Sequence, residues 1–552
     1  MTATPKAVKS ASRTRRILLE NLTGYAFIAP AFILILLFGL IPLAFALFVS
    51  FHQWRRFPGD YLGLRNYIRG LDDFAYVVFF WVSLGLLIYA GTKLIALWRG
   101  GNLRKAFTAF IPAVGLTATS FFFTKWVSVA LPVVLNIPQR IRGQERVPGM
   151  FVNELMASFQ MPDILPLGNE FLLVFIIAMA VLIGWWFVIR THADWFQWLV
   201  KAFIITSSVL ISYLVIELTL SEINTAIATA REAGTELPIW SQIVLMTLGV
   251  VLIALAYIVW RRSLNADGTR NLALGIFATG ALAVGGYLLI AELPVALANS
   301  DPDVLRGLNI TVMFAIGTIP FQIGIGLVLA YLLFQEIKAR SLFRVVYFLP
   351  YIMPFVATAI VFNLLFSFRP ESPINQLINL FGIPDQKWLL EPKGIFTLIF
   401  GEGLPSVLTG PSLALIVIMI YTVWTYIGYD AVVFLAGLGN IPVELYEAAR
   451  IDGASEWVLF RRITLPLLSP TTFFLMLIAI TGTFKAFTQL WIMRTPAAAS
   501  SVDTLAVHIF TTVRQTEPNL GYGSALAFVL FAVILLITVF QNRFLGSKVF
   551  YG

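Results

Sequence analysis

Apolar runs of about 20 residues recur along the whole of this 552-residue chain, and that length matches the hydrocarbon thickness of a bilayer. They fall at 24–49, 74–97, 107–135, 171–190, 199–220, 241–260, 271–293, 308–334, 343–367, 412–437, 470–493 and 523–541. Lipid gives the backbone no hydrogen-bond partner, so only helices or closed barrels can span it. The runs lack the alternation of a barrel strand and are too long for one. They predict an all-α integral membrane protein of about twelve transmembrane helices. Composition agrees: 59% of the residues are hydrophobic and 12% charged, too few charges to clothe a soluble exterior of this size.

Other classes drop away. With no Cys, disulfides and thiolate metal sites are excluded. The three His (His52, His192, His508) are far apart in sequence, which argues against a His-based metal site. The net charge of +9 sits in short clusters between apolar runs. That pattern reads as cytoplasmic loops rather than a nucleic-acid surface. Residues 1–23 form a polar, basic tail (Lys6, Lys9, Arg13, Arg15, Arg16) before a first run too long for a signal-peptide core. The run is read as an uncleaved first helix with a cytoplasmic N-terminus.

Basic residues in the short loops fix the rest of the orientation. Arg99, Arg104 and Lys105; Arg261, Arg262 and Arg270; Lys338, Arg340 and Arg344; Arg450, Arg461 and Arg462; and Arg543 and Lys548 all fall on the inner side of this topology. The loop at 221–240, with Glu222, Glu232 and Glu236 against Arg231, falls outside, as does 294–307 with Asp301 and Asp303 against Arg306. Residues 50–73 and 136–170 carry more Arg than outer loops should. The run at 107–135 holds Lys125 mid-span and is the weakest helix of the set.

One inner loop is more than a connector. Within 438–469, Asn440 can cap and Pro442 suits a first turn, with Glu444 and Glu447 near the positive end of the helix dipole. Gly453 offers a stop, and Ser455 can cap a second short helix over 456–463 that ends before Pro466. Leu445, Ala448 and Ala449 lie near one face. Such a knob suits either docking in a partner's groove or lying on the lipid surface.

Glu447-Ala448-Ala449, then Asp452-Gly453-Ala454, Phe460 and Leu465-Pro466 resemble the EAA loop of ABC import permeases, position by position over about 20 residues. Phe434 to Leu438, Ile441-Pro442 and Leu445-Tyr446 are similar to its carbohydrate branch, the MalF-type permeases. Phe343-Arg344 with Phe348-Leu349-Pro350, Gly521 to Ala525, Gly24-Tyr25 through Pro30 and Pro42, and Gly63-Leu64 with Asn66-Tyr67 add weaker matches. The resemblance implies a permease core over 24–73 and 300–552. Residues 74–299 have no counterpart in it and read as an inserted bundle of six helices. Both ends of the insertion should be external, which an even number of crossings satisfies.

The resemblance also implies a mechanism. Glu447, Ala448, Ala449, Asp452 and Gly453 would be the coupling residues, seated in a cleft of a separate ATPase subunit. The chain has no G-x-x-x-x-G-K-[ST] phosphate loop, so ATP and Mg would be bound by that ATPase dimer and no cofactor by this chain. The chain is then a transport subunit, not an enzyme. A second, MalG-like permease and an extracytoplasmic sugar-binding protein would complete the complex in the cell inner membrane, with both termini cytoplasmic. Transport would proceed by alternating access.

Polar groups inside a bilayer usually face a cavity or another helix. Thr422, Trp424 and Tyr429 lie on the helix before the EAA loop, which lines the sugar path in MalF-like permeases; Thr425 and Tyr426 share it. Thr481, Lys485 and Gln489 form a second set, with Thr483 among them, and Asn363 stands apart. These residues are expected to line the path of an oligosaccharide, a polyol or, given Lys485, a glycerol phosphate. Two alternative classes fit less well. A secondary transporter would need coupling-ion carboxylates, few of which are visible in the core runs. A lipid-linked glycosyltransferase would need clustered acids, yet Glu371, Asp385, Glu391 and Glu402 are scattered.

Overall fold

The computed structural model describes residues 9–99, 107–144, 147–190, 194–235, 237–264, 268–335, 338–405 and 408–546. Lys6, Arg104, Lys105, Glu236 and Lys548 lie outside the described residues. Among the described residues the chain is helical and has no strand, only two isolated bridges. Ten helices are long and apolar enough to cross a membrane, or twelve if two sharply bent pairs each count as one span. The all-α membrane fold expected from the apolar runs is therefore present.

The spans in chain order are α1 (Thr23–Ser50), α2 (Phe74–Arg99), α3 (Phe110–Leu135), α4 (Leu165–Ile189), α5 (Trp195–Glu232), α6 (Ile239–Ser263), α7 (Gly268–Ala296) and α8 (Pro302–Phe334). There follow the bent pair α9 (Arg340–Ile352) and α10 (Phe355–Leu365), then α11 (Leu413–Gly439) and the short α12 (Val443–Ile451). The second bent pair joins Glu456–Leu467 to α13 (Ser469–Phe484). Short helices α14 (Thr488–Met493) and α15 (Leu505–Arg514) precede the last span, α16 (Leu520–Phe544).

Three expectations need correction. The run at 343–367 is not one straight helix: α9 and α10 meet at 95°. Met353 is extended there, and Pro354, with φ −58° and ψ 121°, opens the second helix without an N–H to donate. The run at 470–493 ends as a helix at Phe484; Lys485 leaves helical geometry, and α14 restarts beyond it. The helix at 456–463 does not stop before Pro466. It widens into a π-turn at Phe460–Thr464, runs to Leu467 and bends by 61° into α13.

The helices group into two compact units. The first comprises Met1–Asn66, Ala90–Ser207 and Leu520–Ala525. Its core gathers Ala109, Ala113, Trp185, Ile189, Trp198 and Ala202, small residues at the start of α3 and on α5 leaving room for the large aromatics of α4 and α5. Thr117 shares a 2.7 Å hydrogen bond with Thr206, so hydroxyls in an apolar setting satisfy each other. Lys125 pairs with Glu170 at 3.7 Å, both half exposed. Asn66 is buried and donates to the carbonyls of Ser50 and His52, capping the end of α1.

The second unit comprises Tyr67–Tyr89, Ser208–Asn519 and Leu526–Gly552. Here the two ends of the 74–299 segment meet. The Asn299 N–H donates to the Asp72 carboxylate at 2.8 Å, and the Asp301 N–H to the Arg69 carbonyl at 3.1 Å. The rest of the unit is organised around α11, half of whose span is buried. Tyr421, Ile418, Leu415 and Phe434 on α11 pack against Phe314 of α8, Phe362 of α10 and Leu475 of α13. The Tyr421 hydroxyl donates to the Phe355 carbonyl at 3.0 Å and pairs with the Thr358 hydroxyl at 2.8 Å, holding the start of α10 beside α11.

Candidate functional site: a membrane cavity and a protruding loop

Helical periodicity builds the cavity wall. Thr422, Tyr426, Tyr429 and Asp430 recur at intervals of four, three and one, so they share one face of α11 over about 12 Å of its length. That face looks into a cavity of about 380 Å³, inside the size range of small-molecule sites. Gln322 of α8, Tyr351 of α9 and Phe355 of α10 close one side. Thr483 of α13, Lys485, and Thr488 and Gln489 of α14 close the other. The bend between α9 and α10 is what turns Tyr351 and Phe355 inward. Tyr351 stacks on Tyr429 with ring centroids 4.8 Å apart and meets Tyr426 at 5.8 Å.

Of the six path residues read from sequence, Thr422, Tyr429, Lys485 and Gln489 line this cavity. Trp424 does not: it packs against Phe362, centroids 5.1 Å apart, and against the Tyr421 ring. Thr481 does not either, its hydroxyl donating to the Leu477 carbonyl one turn back. Thr425 is fully buried and bonded to the Tyr421 carbonyl, and Asn363 donates to the Ile492 carbonyl at 3.3 Å. Gln322, Tyr351, Phe355, Asp430 and Thr488 also line the cavity. Asp430 was visible as a carboxylate in an apolar run, and Gln322 as an amide in another. The other three were not, because only the two helix breaks bring them round.

Several lining groups are buried, and one of them lacks a partner. Gln322, Asp430, Thr483 and Gln489 are all more than nine-tenths buried, and the Asp430 Oδ2 has no hydrogen-bond partner. Burial without a partner costs a polar group about 1–3 kcal/mol, so the cavity is disposed to take a ligand rich in hydrogen-bonding groups. The tyrosine rings offer faces for its C–H surface.

The loop after α11 projects as a knob. Asn440 closes α11 rather than capping the next helix, and Pro442 is the N-cap of α12 rather than its first residue. α12 has no buried residue: Glu447, Ala448, Asp452 and Gly453 are exposed and Ala449 is half-buried. Ile451 is 87% exposed and Trp457 66%, so the tip is apolar as well as charged. Gly453, at φ +81°, ends α12. Its N–H donates to the Arg450 carbonyl and that of Ala454 to the Ala449 carbonyl, the two bonds of a Schellman motif. Ser455 stands at the next N-cap without a side-chain bond. Arg450 and Glu456 pair across the turn at 3.0 Å. At the base, the Tyr446 and buried Thr464 hydroxyls meet at 3.0 Å, and Phe460 contacts the Tyr331 ring.

Residues 322–549 match the family described as binding-protein-dependent transport system inner membrane component. The chain is 31% identical over 265 residues to the sn-glycerol-3-phosphate transport system permease protein UgpA of Brucella suis, covering 47% of this chain and 83% of that one. The chain belongs to this ABC transporter permease family. The permease is a multi-pass membrane subunit and not itself an enzyme. It is also 28% identical over 252 residues to the arabinooligosaccharides transport system permease protein AraP of Bacillus subtilis, covering 45% of this chain and 74% of the relative. Among solved structures, a bacterial alginate ABC transporter in complex with an alginate pentasaccharide-bound periplasmic protein aligns with 44% of this chain and 78% of that one, at 21% identity and a TM-score of 0.38. The matched family segment leaves 74–299 outside it.

Proposed function

We propose that this permease carries sugars or related polyols inward through the α11 cavity, driven by a separate ATPase dimer that grips the α12 knob. The observation that carries this reading is the continuity of knob and cavity. α11 lines the cavity from Thr422 to Asp430, ends at Gly439, and passes into α12 at Val443. On the other side, Tyr446 bonds Thr464, in the segment that runs into α13 and so to Thr483 of the opposite wall. A push on α12 therefore reaches both walls through packed helices. Such packings switch between discrete arrangements rather than deform smoothly, which is the physical basis of alternating access.

Glu447, Ala448, Ala449, Asp452 and Gly453 act in coupling, and Thr422, Tyr429, Lys485 and Gln489 touch cargo. ATP and Mg sit in the ATPase partner, and nucleotide state shifts the population of the two packings by its differential affinity. A second permease subunit and an extracytoplasmic binding protein complete the assembly in the inner membrane, with both termini cytoplasmic. A relative named for arabinooligosaccharides supports a cargo dense in hydroxyls. Residues 74–299 add spans to the permease core of 24–73 and 300–552.

The test is co-purification with the native partners, reconstitution in vesicles and a screen for sugars that stimulate ATP hydrolysis. Stimulation by a sugar, lost in Ala479→Trp, which fills the cavity, is the expected result. ATP-independent uptake driven by an ion gradient would overturn the reading.

A further inference from the structure

We propose that Asp430 is the specificity-determining residue of the cavity, taking hydroxyl donors of the cargo on its carboxyl and excluding phosphorylated cargo. This rests on the cavity being the cargo site. Asp430 is 3% exposed, its Oδ2 has no partner, and among the described residues it has no ion pair. Its place is set by Gly326 of α8: a Cβ there would fall 2.8 Å from the Asp430 Cβ, so only glycine lets the two helices close at this point. Gln322, one turn from Gly326 on the same helix, lines the cavity beside it and is 3% exposed. A carboxyl and an amide thus share one corner, desolvated and facing the cavity.

The chemistry of that corner is selective. An ionised carboxylate only accepts hydrogen bonds, and a protonated one must also donate. A sugar hydroxyl can do either, so it satisfies Asp430 in both states, while the Gln322 amide can bond a neighbouring hydroxyl. When Asp430 is ionised, a phosphate brings a like charge and few donors into a site of low dielectric, where the two repel strongly. Lys485 lines the same cavity but is exposed and, among the described residues, forms no ion pair with Asp430, so solvent screens its charge more than that of the buried carboxyl. Truncation should weaken cargo binding roughly tenfold to a hundredfold, the loss expected for a hydrogen bond to a charged group.

The experiment uses the complete transporter, co-purified and reconstituted, with a panel of neutral di- to pentasaccharides and sn-glycerol 3-phosphate. Wild type should import a neutral sugar and not the phosphate. Asp430→Ala should raise KM about tenfold or more, and the near-isosteric Asp430→Asn by less, with glycerol 3-phosphate uptake gained in Asp430→Asn. Unchanged KM in both variants, or wild-type import of glycerol 3-phosphate in preference to every neutral sugar, would overturn the assignment. Ala479→Trp separates the two layers. If it blocks import while Asp430→Ala does not raise KM, Asp430 alone is misassigned; if it transports normally, the cavity itself is not the path.

Discussion

Gly428 of α11 meets the carbonyl oxygen of Tyr347 with no room for a side chain between them: a Cβ there would overlap the oxygen and crowd the Phe348 Cα. This contact fixes how closely α9 approaches α11, and hence where Tyr351, one turn on, enters the cavity. Gly428→Ala should force the helices apart at a cost of about 1–3 kcal/mol, the range for overpacking a filled site. The expected result is a thermal midpoint lowered by several degrees in detergent, with cargo uptake impaired beyond the loss of folded protein. An unchanged midpoint would mean that α9 moves aside freely.

The knob gives a second test. Glu447→Lys reverses an exposed charge on a helix with no buried residue, so folding should be nearly untouched. If α12 carries coupling, transport should fall about tenfold to a hundredfold, the usual span of a coupling free energy. Gly453→Pro should fall further, because proline cannot take φ +81° and removes the N–H bonded to Arg450. Uptake assays on vesicles with equal permease content check both, and normal uptake in both would sink the coupling role.

How far the sequence reaches depends on whether a feature is local. The apolar runs are local and appear as helices, including the one around Lys125, whose charge finds Glu170. The glycine stop at Gly453 was legible for the same reason. The break between α9 and α10 was written in Pro350 and Pro354, but a hydropathy window averages over them. Asn440 falls one element earlier than expected and Pro442 one position earlier, because either residue fits more than one place at a helix boundary. The cavity is a different case. Tyr351, Gln322 and Asp430 come from three helices, and nothing in their own neighbourhoods says that they converge. Trp424 and Tyr429 look alike in sequence, yet five residues turn one toward the core and the other toward the cavity.

The loop between α10 and α11 is held by one side chain. Asn375 is fully buried; its Oδ1 accepts from the Trp388 indole at 2.7 Å and the Gln386 N–H at 3.1 Å. Its amide donates to the Arg369 carbonyl at 3.1 Å. Asn375→Ala would leave two donors without an acceptor, at a local cost of about 2–4 kcal/mol. Hydrogen exchange over 366–390 should speed up by about 1.5 to 3 orders of magnitude, as about 1.4 kcal/mol is tenfold. The transmembrane helices should keep their protection.

Where α2 begins, Asp73 is partly buried beside Asp72, itself in the left-handed region at φ 51°. Burial first, and then the neighbouring Asp72 charge, push the Asp73 carboxyl up to about 6. The folded chain therefore holds a proton on Asp73 at pH values where the unfolded chain, with an ordinary carboxyl near 3.8, has lost it. Stability should fall as pH rises from about 4 to about 6, and the penalty stands in full above that. Because the group is only partly buried, solvent screening limits the penalty to on the order of 1 kcal/mol. Asp73→Asn removes the charge and keeps the shape. It should raise the thermal midpoint by a few degrees at pH 7.5, with the gain shrinking toward pH 4. Equal midpoints for wild type and Asp73→Asn at pH 7.5 would mean that the carboxylate is solvated at no cost, and that the joint between Asp72 and Asn299 opens to water.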